Sequence, residues 1–390
     1  MAPPAGTRRA CGQAMRACYA DRCRHACDAP LMLMPTRVFL LACAVLCAGC
    51  VAQPRPAPTP PAQAAPAAAA ARAASVMPAA VAGVVPAVAP DVQDFVAQLL
   101  RQHPDLERTH IEQLLAEARV QPSIIAAMQR PAEAKPWKDY RPIFLGQARI
   151  DAGIAFYRAH RERVDRIADR YGVPPQILVA ILGVETYYGR QTGGYRVLDA
   201  LYTLAFHYPP RAAFFQKELG VFLSLPRGAL PGPRAELRGS YAGAMGWCQF
   251  MPSSFARYGV SVDAGGPVDL WGSLPDILAS TANYLAQHGW QRDAPIAVRA
   301  RAAAAAQAPP IEGSAPIHTV AGLAARGYTG AAGIAQRTPA TLLTLQGRDG
   351  PEYWITFTNF QVITRYNTSA MYALAVTQLA DDIAQGAATQ

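Results

Sequence analysis

A long apolar run that ends in one carboxylate is the feature that most limits how this chain can fold. Residues 174–189 read PPQILVAILGVETYYG. Prolines suit the first turn of a helix, and the apolar residues after them have almost no polar break. The segment therefore predicts a helix that is buried on most of its surface. Glu185, at the end of this helix, is then held away from water, where a carboxylic acid keeps its proton more tightly than in bulk solvent.

The segment alone leaves two interpretations of Glu185 open. A carboxylic acid that is still protonated near neutral pH is the group that protonates a glycosidic oxygen in enzymes that cleave sugar chains. A buried glutamate at a helix end can equally be structural, paired with an arginine or with a backbone N–H group. Tyr187, Tyr188 and Gly189 follow directly and supply aromatic surface and a chain turn beside the acid.

The first 50 residues differ from the rest of the chain. Seven of the eight cysteines lie there, but their spacings lack the regular pattern of zinc ligands, so a zinc site is not favoured. Met34 and Arg37 precede an apolar run from Val38 to Ala48, which is the order of a secretory signal. That run is too short to span a bilayer as a permanent helix. Residues 1–33 are therefore predicted to lie outside the mature protein.

Residues 34–50 end in LCAGC, which resembles a bacterial lipoprotein signal with Cys50 as the lipid-bearing first residue of the mature chain. Such signals usually carry leucine three positions earlier, where this chain has Cys47. Ordinary signal cleavage with a soluble product therefore stays open as the alternative. Residues 51–90 are nearly all Ala, Pro, Val and Gln, and they predict a disordered tether. The folded region is predicted at residues 91–385.

The folded region is predicted to be mainly α-helical with a small β-sheet, an α+β fold. Apolar periodicity and turn residues predict helices at about 108–118, 123–129, 144–171 and 369–382, and a β-hairpin of 341–345 with 352–357. Residues 299–316 are rich in Ala and Pro and are interpreted as an insertion or surface linker. The net charge is +9, but no Lys/Arg cluster stands out, so the sequence does not indicate a nucleic-acid partner.

Residues 239–255, GSYAGAMGWCQFMPSSF, combine small residues with polar and aromatic ones. Glycine and alanine let the backbone approach a ligand closely. Ser240 and Gln249 supply hydrogen bonds, and Phe250 supplies an apolar wall. A sugar has flat apolar faces and hydroxyl edges, so such a loop suits it. The alternative is close packing of helices through Gly and Ala.

Two further segments contribute polar and aromatic groups. In NFQVITRYNTSAMYALAV, residues 359–376, Tyr366 and Asn367 precede a predicted helix start, and Tyr372 lies about one turn into that helix. All three can face one groove, although an aromatic core with an Asn turn is the alternative. Arg211 follows a proline pair and is predicted to lie in a loop.

These segments together resemble the membrane-bound lytic murein transglycosylase B family. The resemblance is carried, in order, by AILGVETYYG, VLDALYTLAFHYP, GSYAGAMGWCQFMPSSF, DLW, ANYLAQHGW and NFQVITRYN, across roughly residues 91–380. It implies a lysozyme-like catalytic core with helical accessory subdomains, and it makes Glu185 the catalytic acid and base. It also implies a glycan groove lined by Arg211, Ser240, Gln249, Phe250, Tyr284, Tyr366, Asn367 and Tyr372. Pro210 stands where the family typically has the first of two arginines.

The resemblance further implies cleavage of the β-1,4 bond between N-acetylmuramic acid and N-acetylglucosamine in peptidoglycan. An ordinary glycosidase needs a second carboxylate, at about 5–5.5 Å for retention or about 6.5–9.5 Å for inversion. No second acid lies in the motifs around Glu185. Asp199 is the nearest acid downstream and is interpreted as a helix-start or packing residue. The family reaction uses no water and closes a 1,6-anhydro ring on the muramic acid. The expected protein is a monomer without a cofactor, anchored to the outer membrane as a periplasmic lipoprotein. A hydrolytic muramidase and a non-enzymatic peptidoglycan-binding lipoprotein of the envelope stay open as alternatives.

The family often carries a calcium loop that resembles an EF-hand. The corresponding segment here is SVDAGGPVDLW, residues 261–271. Asp263 and Asp269 are present, but the residues between them are Ala, Gly, Gly, Pro and Val. Because an EF-type loop needs oxygen ligands at alternating positions, the sequence predicts no structural calcium. Cys248 stands where the family commonly has Gly and is predicted to be a small buried thiol.

Overall fold

Helices form most of the chain that the computed structural model describes, which is residues 92–129, 135–307 and 318–389. The segments 1–33, 34–50 and 51–90, with Cys50, lie outside the described residues. The helices are α1 (Val92–Gln102), α2 (Arg108–Ala116), α3 (Pro122–Met128), α4 (Trp137–Phe144), α5 (Gln147–Tyr171), α6 (Pro175–Thr186), α7 (Val197–His207), α8 (Ala212–Ser224), α9 (Pro252–Tyr258), α10 (Leu274–Gln287), α11 (Val320–Ala325), α12 (Thr358–Tyr366) and α13 (Ala370–Ala388). The predicted mainly α-helical class is confirmed.

Helix α6 lies at the centre of the main core, as its apolar sequence predicts. Pro174 is its N-cap and Pro175 its first residue, and every residue from Ile177 to Thr186 is buried. It packs against α5 on one side and against α13 on the other. A helix that is apolar all round must be covered all round, so this packing holds the end of α6, with Glu185, inside the protein.

The predicted helix at about 144–171 corresponds to α5, and the structure adds α4, which the sequence did not predict. Helix α5 begins at Gln147, and the shorter α4 precedes it. Trp137, Tyr140 and Phe144 form the buried side of α4. No clear helical period is visible over α4, because Pro142 interrupts the segment and a helix of two turns carries too few apolar positions to show one.

The β-strands form a five-stranded antiparallel sheet and a separate short pair. The sheet order is β4-β6-β7-β3-β5, and β1 (Tyr195–Arg196) pairs with β2 (Arg238–Gly239). The sheet strands are β3 (Ala297–Ala302), β4 (His318–Thr319), β5 (Tyr328–Thr329), β6 (Pro339–Gly347) and β7 (Gly350–Thr356). The predicted hairpin is confirmed as β6–β7, closed where Gly347 pairs with Gly350. The interpretation of 299–316 as a linker is wrong at its start, since 299–302 belong to β3 between β7 and β5.

Two hydrophobic cores support these layers. The larger joins the helices around α6 and includes residues from α1 to α10, α12 and α13. The smaller lies under the sheet and is built on Leu323, Tyr328, Leu342, Ile355 and Phe357, among others. In the described parts of the chain, no helix combines the length and the hydropathy of a membrane span.

Candidate active site

Glu185 lies one residue before the end of α6, and its side chain is 1% exposed. The hydroxyl of Tyr372 donates a hydrogen bond of 2.7 Å to Glu185 Oε1. Tyr372 lies in the first turn of α13 and is 0% exposed. The two residues are far apart in sequence, and the packing of α13 against α6 brings them together.

The start of α13 fixes Tyr372 in this position. Ser369 is the N-cap, and its Oγ accepts a hydrogen bond of 3.4 Å from the Tyr372 amide. Asn367 Oδ1 in turn accepts a hydrogen bond of 3.1 Å from the Ser369 amide. A capping side chain satisfies an amide that has no partner inside the helix. Ser369 thus caps α13, and Asn367 makes the Asn turn that the sequence offered as an alternative.

The chain after Glu185 makes an unusual turn. Tyr187 and Tyr188 both have left-handed backbone conformations, with φ of 52° and 58°. Such a conformation costs about 1–3 kcal/mol for a residue with a side chain. Hydrogen bonds to the first turn of α5 hold this turn: the Tyr187 hydroxyl donates to the Ala148 carbonyl at 3.1 Å, and the Tyr188 hydroxyl donates to the Arg149 carbonyl at 3.0 Å. Burial raises the pKa of Tyr188, so this hydroxyl stays protonated and able to donate.

Arg149 binds the same turn from the first turn of α5. Its Nη1 donates to the Gly183 carbonyl at 2.8 Å, two residues before Glu185, and its guanidinium lies 4.8 Å from the ring centre of Tyr187. A cation at a helix C-terminus stabilises the last carbonyls. Burial lowers the pKa of Arg149 from its usual value. The sequence analysis missed Arg149, because one arginine in an amphipathic helix carries no signal of the tertiary contact that it makes.

The loop at 239–251 lies against the end of α6 as a short, folded-back strand. Met245 pairs with Gly239 on one side and with Phe250 on the other. Thr186 Oγ1 donates to the Trp247 carbonyl at 3.4 Å. Gly189, with φ of 83°, leaves room for the Trp247 indole, since a Cβ there would lie 2.2 Å from the ring. The small residues predict a close approach of the loop backbone to a ligand. In the structure, the loop packs closely against the turn that follows Glu185.

Ser240 and Gln249 use their side chains within this loop. Ser240 Oγ accepts hydrogen bonds from the amides of Ala242 and Ala244, at 3.3 and 3.1 Å. Gln249 has a left-handed backbone, with φ of 50°, and its Nε2 donates to the carbonyls of Gly246 and Thr192 at 2.8 and 3.1 Å. Both side chains are at most 1% exposed. They fix the shape of the loop from inside.

Phe250, Tyr284 and Tyr366 form one aromatic cluster behind the loop. Their ring centres are 4.8 to 5.8 Å apart. Tyr366 donates a hydrogen bond of 2.7 Å to the Cys248 carbonyl, and Tyr284 donates one of 2.5 Å to the Arg365 carbonyl. All three rings are buried. The cluster connects the loop to α10 and α12. This arrangement is the aromatic core that the sequence left open as the alternative to a groove.

Arg211 and Cys248 are two further buried residues that the sequence analysis singled out. Arg211 is in a single 3₁₀ turn (Pro209–Arg211) between α7 and α8, and its guanidinium lies 4.3 Å from the ring centre of Phe214. It is 7% exposed. Cys248 is a fully buried thiol that contacts the Ile277 carbonyl and Thr281 Oγ1, both at 3.3 Å. The predicted small buried thiol is confirmed.

Three other buried carboxylates in the described chain have structural partners. Asp199 binds the guanidinium of Arg196 through both oxygens. Glu218 accepts from the amide and the hydroxyl of Ser253 at the start of α9, at 2.9 and 2.7 Å. Asp276 also accepts backbone amides. The structural interpretation of Asp199 is confirmed, and none of the three is shown to contact Glu185.

The segment at 261–271 has few side-chain oxygens that could bind a calcium ion. Asp269 Oδ1 accepts hydrogen bonds from the amides of Trp271 and Gly272, both at 2.8 Å. Asp276 accepts from the amides of Val262 and Asp269 at 2.9 and 3.0 Å, which closes the loop without a metal. Among the residues that the structure describes, no group of three or more His, Cys, Asp or Glu side chains converges on a possible metal position. The absence of calcium stays a prediction.

Comparison with known proteins gives relatives over most of the chain. The family described as the transglycosylase SLT domain matches residues 87–381. The membrane-bound lytic murein transglycosylase B of Escherichia coli (strain K12) is 37% identical over 306 residues, which is 76% of this chain and 83% of that protein.

Solved structures agree. The catenated lytic transglycosylase SltB1 of Pseudomonas aeruginosa is 44% identical, covers 76% of this chain and 97% of its own, and has a TM-score of 0.70. The Escherichia coli lytic transglycosylase SLT35 in complex with calcium is 36% identical, covers 77% of this chain and 94% of its own, and has a TM-score of 0.68. These matches confirm the lysozyme-like α+β fold that the resemblance implied. With the family match over residues 87–381 and the relative at 37% identity, the chain belongs to the transglycosylase SLT domain family.

Proposed function

We propose that this chain is a lytic murein transglycosylase, which cleaves the β-1,4 bond between N-acetylmuramic acid and N-acetylglucosamine without water. The observation that carries the proposal is the buried Glu185, held by the Tyr372 hydroxyl at 2.7 Å beside a loop built from small residues. The family relationship supports the reaction class. The structure of SltB3 from Pseudomonas aeruginosa in complex with NAG-NAM-pentapeptide, 29% identical to this chain, supports peptidoglycan as the substrate.

The mechanism uses Glu185 twice. Its carboxylic acid gives a proton to the oxygen that joins the two sugars, and the bond from that oxygen to C1 of the muramic acid breaks. The resulting carboxylate then takes the proton of the muramic C6 hydroxyl, whose oxygen closes on C1. The products are a free N-acetylglucosamine 4-hydroxyl and a 1,6-anhydro-muramic end, and Glu185 is again protonated. General acid and base catalysis of this kind contributes about 10²–10⁴-fold in rate.

The other site residues are proposed to shape the groove in which the glycan lies. Ser240, Gln249 and Asn367 maintain the backbone that faces the sugar, through the hydrogen bonds described above. Phe250, Tyr284 and Tyr366 support that backbone from behind. Tyr372 orients Glu185, and Arg211 sets one end of the groove.

The first prediction concerns the acid. Glu185→Gln keeps a side chain of the same size but removes the transferable proton, so turnover of purified sacculi is expected to fall by at least about 10²-fold, while glycan binding and the melting temperature are retained. Mass spectrometry of the products measures turnover. Turnover by Glu185→Gln at the wild-type rate would exclude Glu185 as the acid.

The same mass spectra separate the alternatives. A hydrolytic muramidase adds one water to each product, whereas the transglycosylase adds none. A binding lipoprotein without activity releases no product from sacculi. Predominance of the hydrated product, or a complete absence of product with folded wild-type protein, would overturn the proposal.

We also propose that the protein is a monomer on the periplasmic face of the outer membrane, held there by lipid on Cys50. The Escherichia coli relative is membrane-bound by name, which supports a place in the cell envelope. Val51 follows Cys50, and lipoproteins without aspartate at this position are sorted to the outer membrane. No cofactor takes part in the mechanism above, and no nucleic acid is expected as a partner.

A further inference from the structure

A second cleft, of about 580 Å³, lies between α4, the turn of the β6–β7 hairpin and the second half of α13. The proposed mechanism does not use it. Asp381, in its wall, is nine residues after Tyr372 on α13, which is about two and a half helical turns, so the two side chains leave the helix on opposite sides. The cleft is therefore separate from the site of Glu185.

One wall of the cleft is cationic. Lys138 and Arg141 project from α4, and Arg348 comes from the hairpin turn. Arg141 Nε donates a hydrogen bond of 2.9 Å to Gln378 on α13. Lys138 and Arg348 form no ion pair with any described residue. Two cations are thus available to an anionic group in the cleft.

Helix α13 contributes acidic groups to the same cleft. Asp381 and Asp382 are neighbours near the end of α13, and both line the cleft. Partial burial against the cleft walls raises the pKa of Asp381, and the adjacent Asp382 carboxylate raises it further. Burial also raises the pKa of Asp382, although the charge of Arg141 acts in the other direction. A ligand ammonium group placed here relieves the repulsion between the two carboxylates.

Two tryptophans also line the cleft, and their indole N–H groups have no hydrogen-bond acceptor among the described residues. Trp137 is 1% exposed, and its indole N–H has no acceptor among the described residues. The indole N–H of Trp354 has none either. Arg299 lies 5.2 Å from the ring centre of Trp354 and pairs with Glu352, so this ion pair is already neutral. Buried donors without a partner are rare in proteins and suit a ligand with carbonyl or carboxylate oxygens.

We propose that this cleft binds a short zwitterionic peptide, with its carboxylates near Lys138 and Arg348 and its amine at Asp381 and Asp382. Lys138, Arg141 and Arg348 carry three positive charges and the two aspartates carry two negative charges, so together they give the cleft a net charge of +1. A peptide with two carboxylates and one amine has a net charge of −1, which is complementary. The inference rests on the proposed function, because the peptide stems of peptidoglycan are short peptides with this combination of charges. The site thus holds a peptide stem away from the bond that is cleaved.

Isothermal titration calorimetry on the Glu185→Gln protein tests the site. The probe is the synthetic tetrapeptide N-acetyl-L-Ala-γ-D-Glu-L-Lys-D-Ala, which has two carboxylates and one amine. We expect saturable binding, at least tenfold weaker in Asp381→Asn/Asp382→Asn and in Lys138→Gln/Arg348→Gln. Arg166→Gln, which removes an exposed arginine from α5, serves as the matched control and is expected to bind like the parent. A tetrapeptide with both carboxylates amidated is expected not to bind.

Three results would overturn the inference: no binding of the tetrapeptide, equal binding by both double variants and the parent, or loss of binding in Arg211→Gln with retention in the cleft variants. The last result would place the peptide in the catalytic groove. Thermal unfolding of each variant shows that the fold is intact. Product formation from peptide-free glycan strands by the wild-type enzyme tests the proposed function separately, so a failure of one is distinguishable from a failure of the other.

Discussion

At the scale of single residues, the hydroxyl of Tyr372 orients the carboxyl group of Glu185. The Tyr372 hydroxyl contacts Oε1 directly, and both groups are buried, so no bulk water competes for this hydrogen bond. Hydrogen bonds to charged groups contribute about 1.5–3 kcal/mol. In the proposed mechanism this contact matters most in the second step, when Glu185 is a carboxylate and must point one oxygen at the C6 hydroxyl.

Tyr372→Phe is expected to lower kcat by roughly tenfold, which corresponds to about 1.4 kcal/mol of transition-state stabilisation. The ring remains, so the packing of α13 on α6 is kept and KM changes little. Steady-state kinetics with defined glycan strands measure the effect. Tyr328→Phe is the control, since that hydroxyl donates to the Gln307 carbonyl in the sheet region at 2.7 Å. An equal loss in both variants would show that Tyr372 acts through stability alone.

Residues of the site differ in how far the sequence could predict them. Glu185 was predicted because an acid in an apolar helix is a local pattern. Tyr372 was proposed only as one of several groove residues, and its bond to Glu185 crosses the fold. Arg149 was not predicted, because its partner is a backbone carbonyl, which has no sequence signature. The residue type of Ser240 predicted a hydrogen-bonding side chain, but the sequence did not show that its Oγ accepts from an amide of its own loop.

At the scale of secondary-structure elements, the crossing of α5 and α6 supports the turn after Glu185. Gly153 on α5 and Gly183 on α6 both face the Tyr188 hydroxyl, and a Cβ on either would lie 2.3 or 2.6 Å from it. The two glycines therefore allow the two helices to approach with the tyrosine between them. A larger residue at either position would displace Tyr188, which lies three positions after Glu185.

Gly153→Ala is expected to destabilise the protein and to lower kcat. In an open helix, Gly→Ala stabilises by about 1 kcal/mol, but overpacking costs about 1–3 kcal/mol, and here Ile383 also lies 2.7 Å from the new Cβ. Urea unfolding measures the free energy. Gly220→Ala in α8 is the matched control, because its Cβ would meet Leu99 at an ordinary 3.4 Å, and a gain in stability is expected. A gain for Gly153→Ala as well would contradict the close packing.

The loop between α9 and α10 gives a prediction about calcium. Its Asp269 carboxylate already accepts two backbone amides, and Gly265, Gly266 and Pro267 supply no side-chain oxygen. A ligand that binds only the native state raises its stability. We therefore expect the same melting temperature in excess chelator and in about 1 mM calcium, a concentration at the weak end of known sites. Differential scanning calorimetry decides the question, and a clear upward shift with calcium would contradict the loop geometry.

At the scale of the whole molecule, the sequence predicted the fold class and the long helices better than the sheet. Helix α6 and helix α13 carry many apolar residues, so local pattern and final structure agree. Strand β3 reads AVRARA, which is low in β-branched and aromatic residues. Its conformation comes from pairing with β7 and β5, which are distant in sequence. Such tertiary pairing cannot be read from a local window.

The attachment of the whole molecule to the membrane gives the last prediction. In the chain that the structure describes, no helix is a candidate span, and the run Val38–Ala48 is too short for a permanent one. The proposed anchor is lipid on Cys50, because each buried acyl CH₂ group contributes about 0.8 kcal/mol to membrane binding. Cys50→Ala is expected to move the full-length protein from the membrane fraction to the soluble periplasm on fractionation. Cys47→Leu, which restores the usual signal residue, is the control and should stay with the membrane. Retention of Cys50→Ala in the membrane fraction would place the anchor elsewhere.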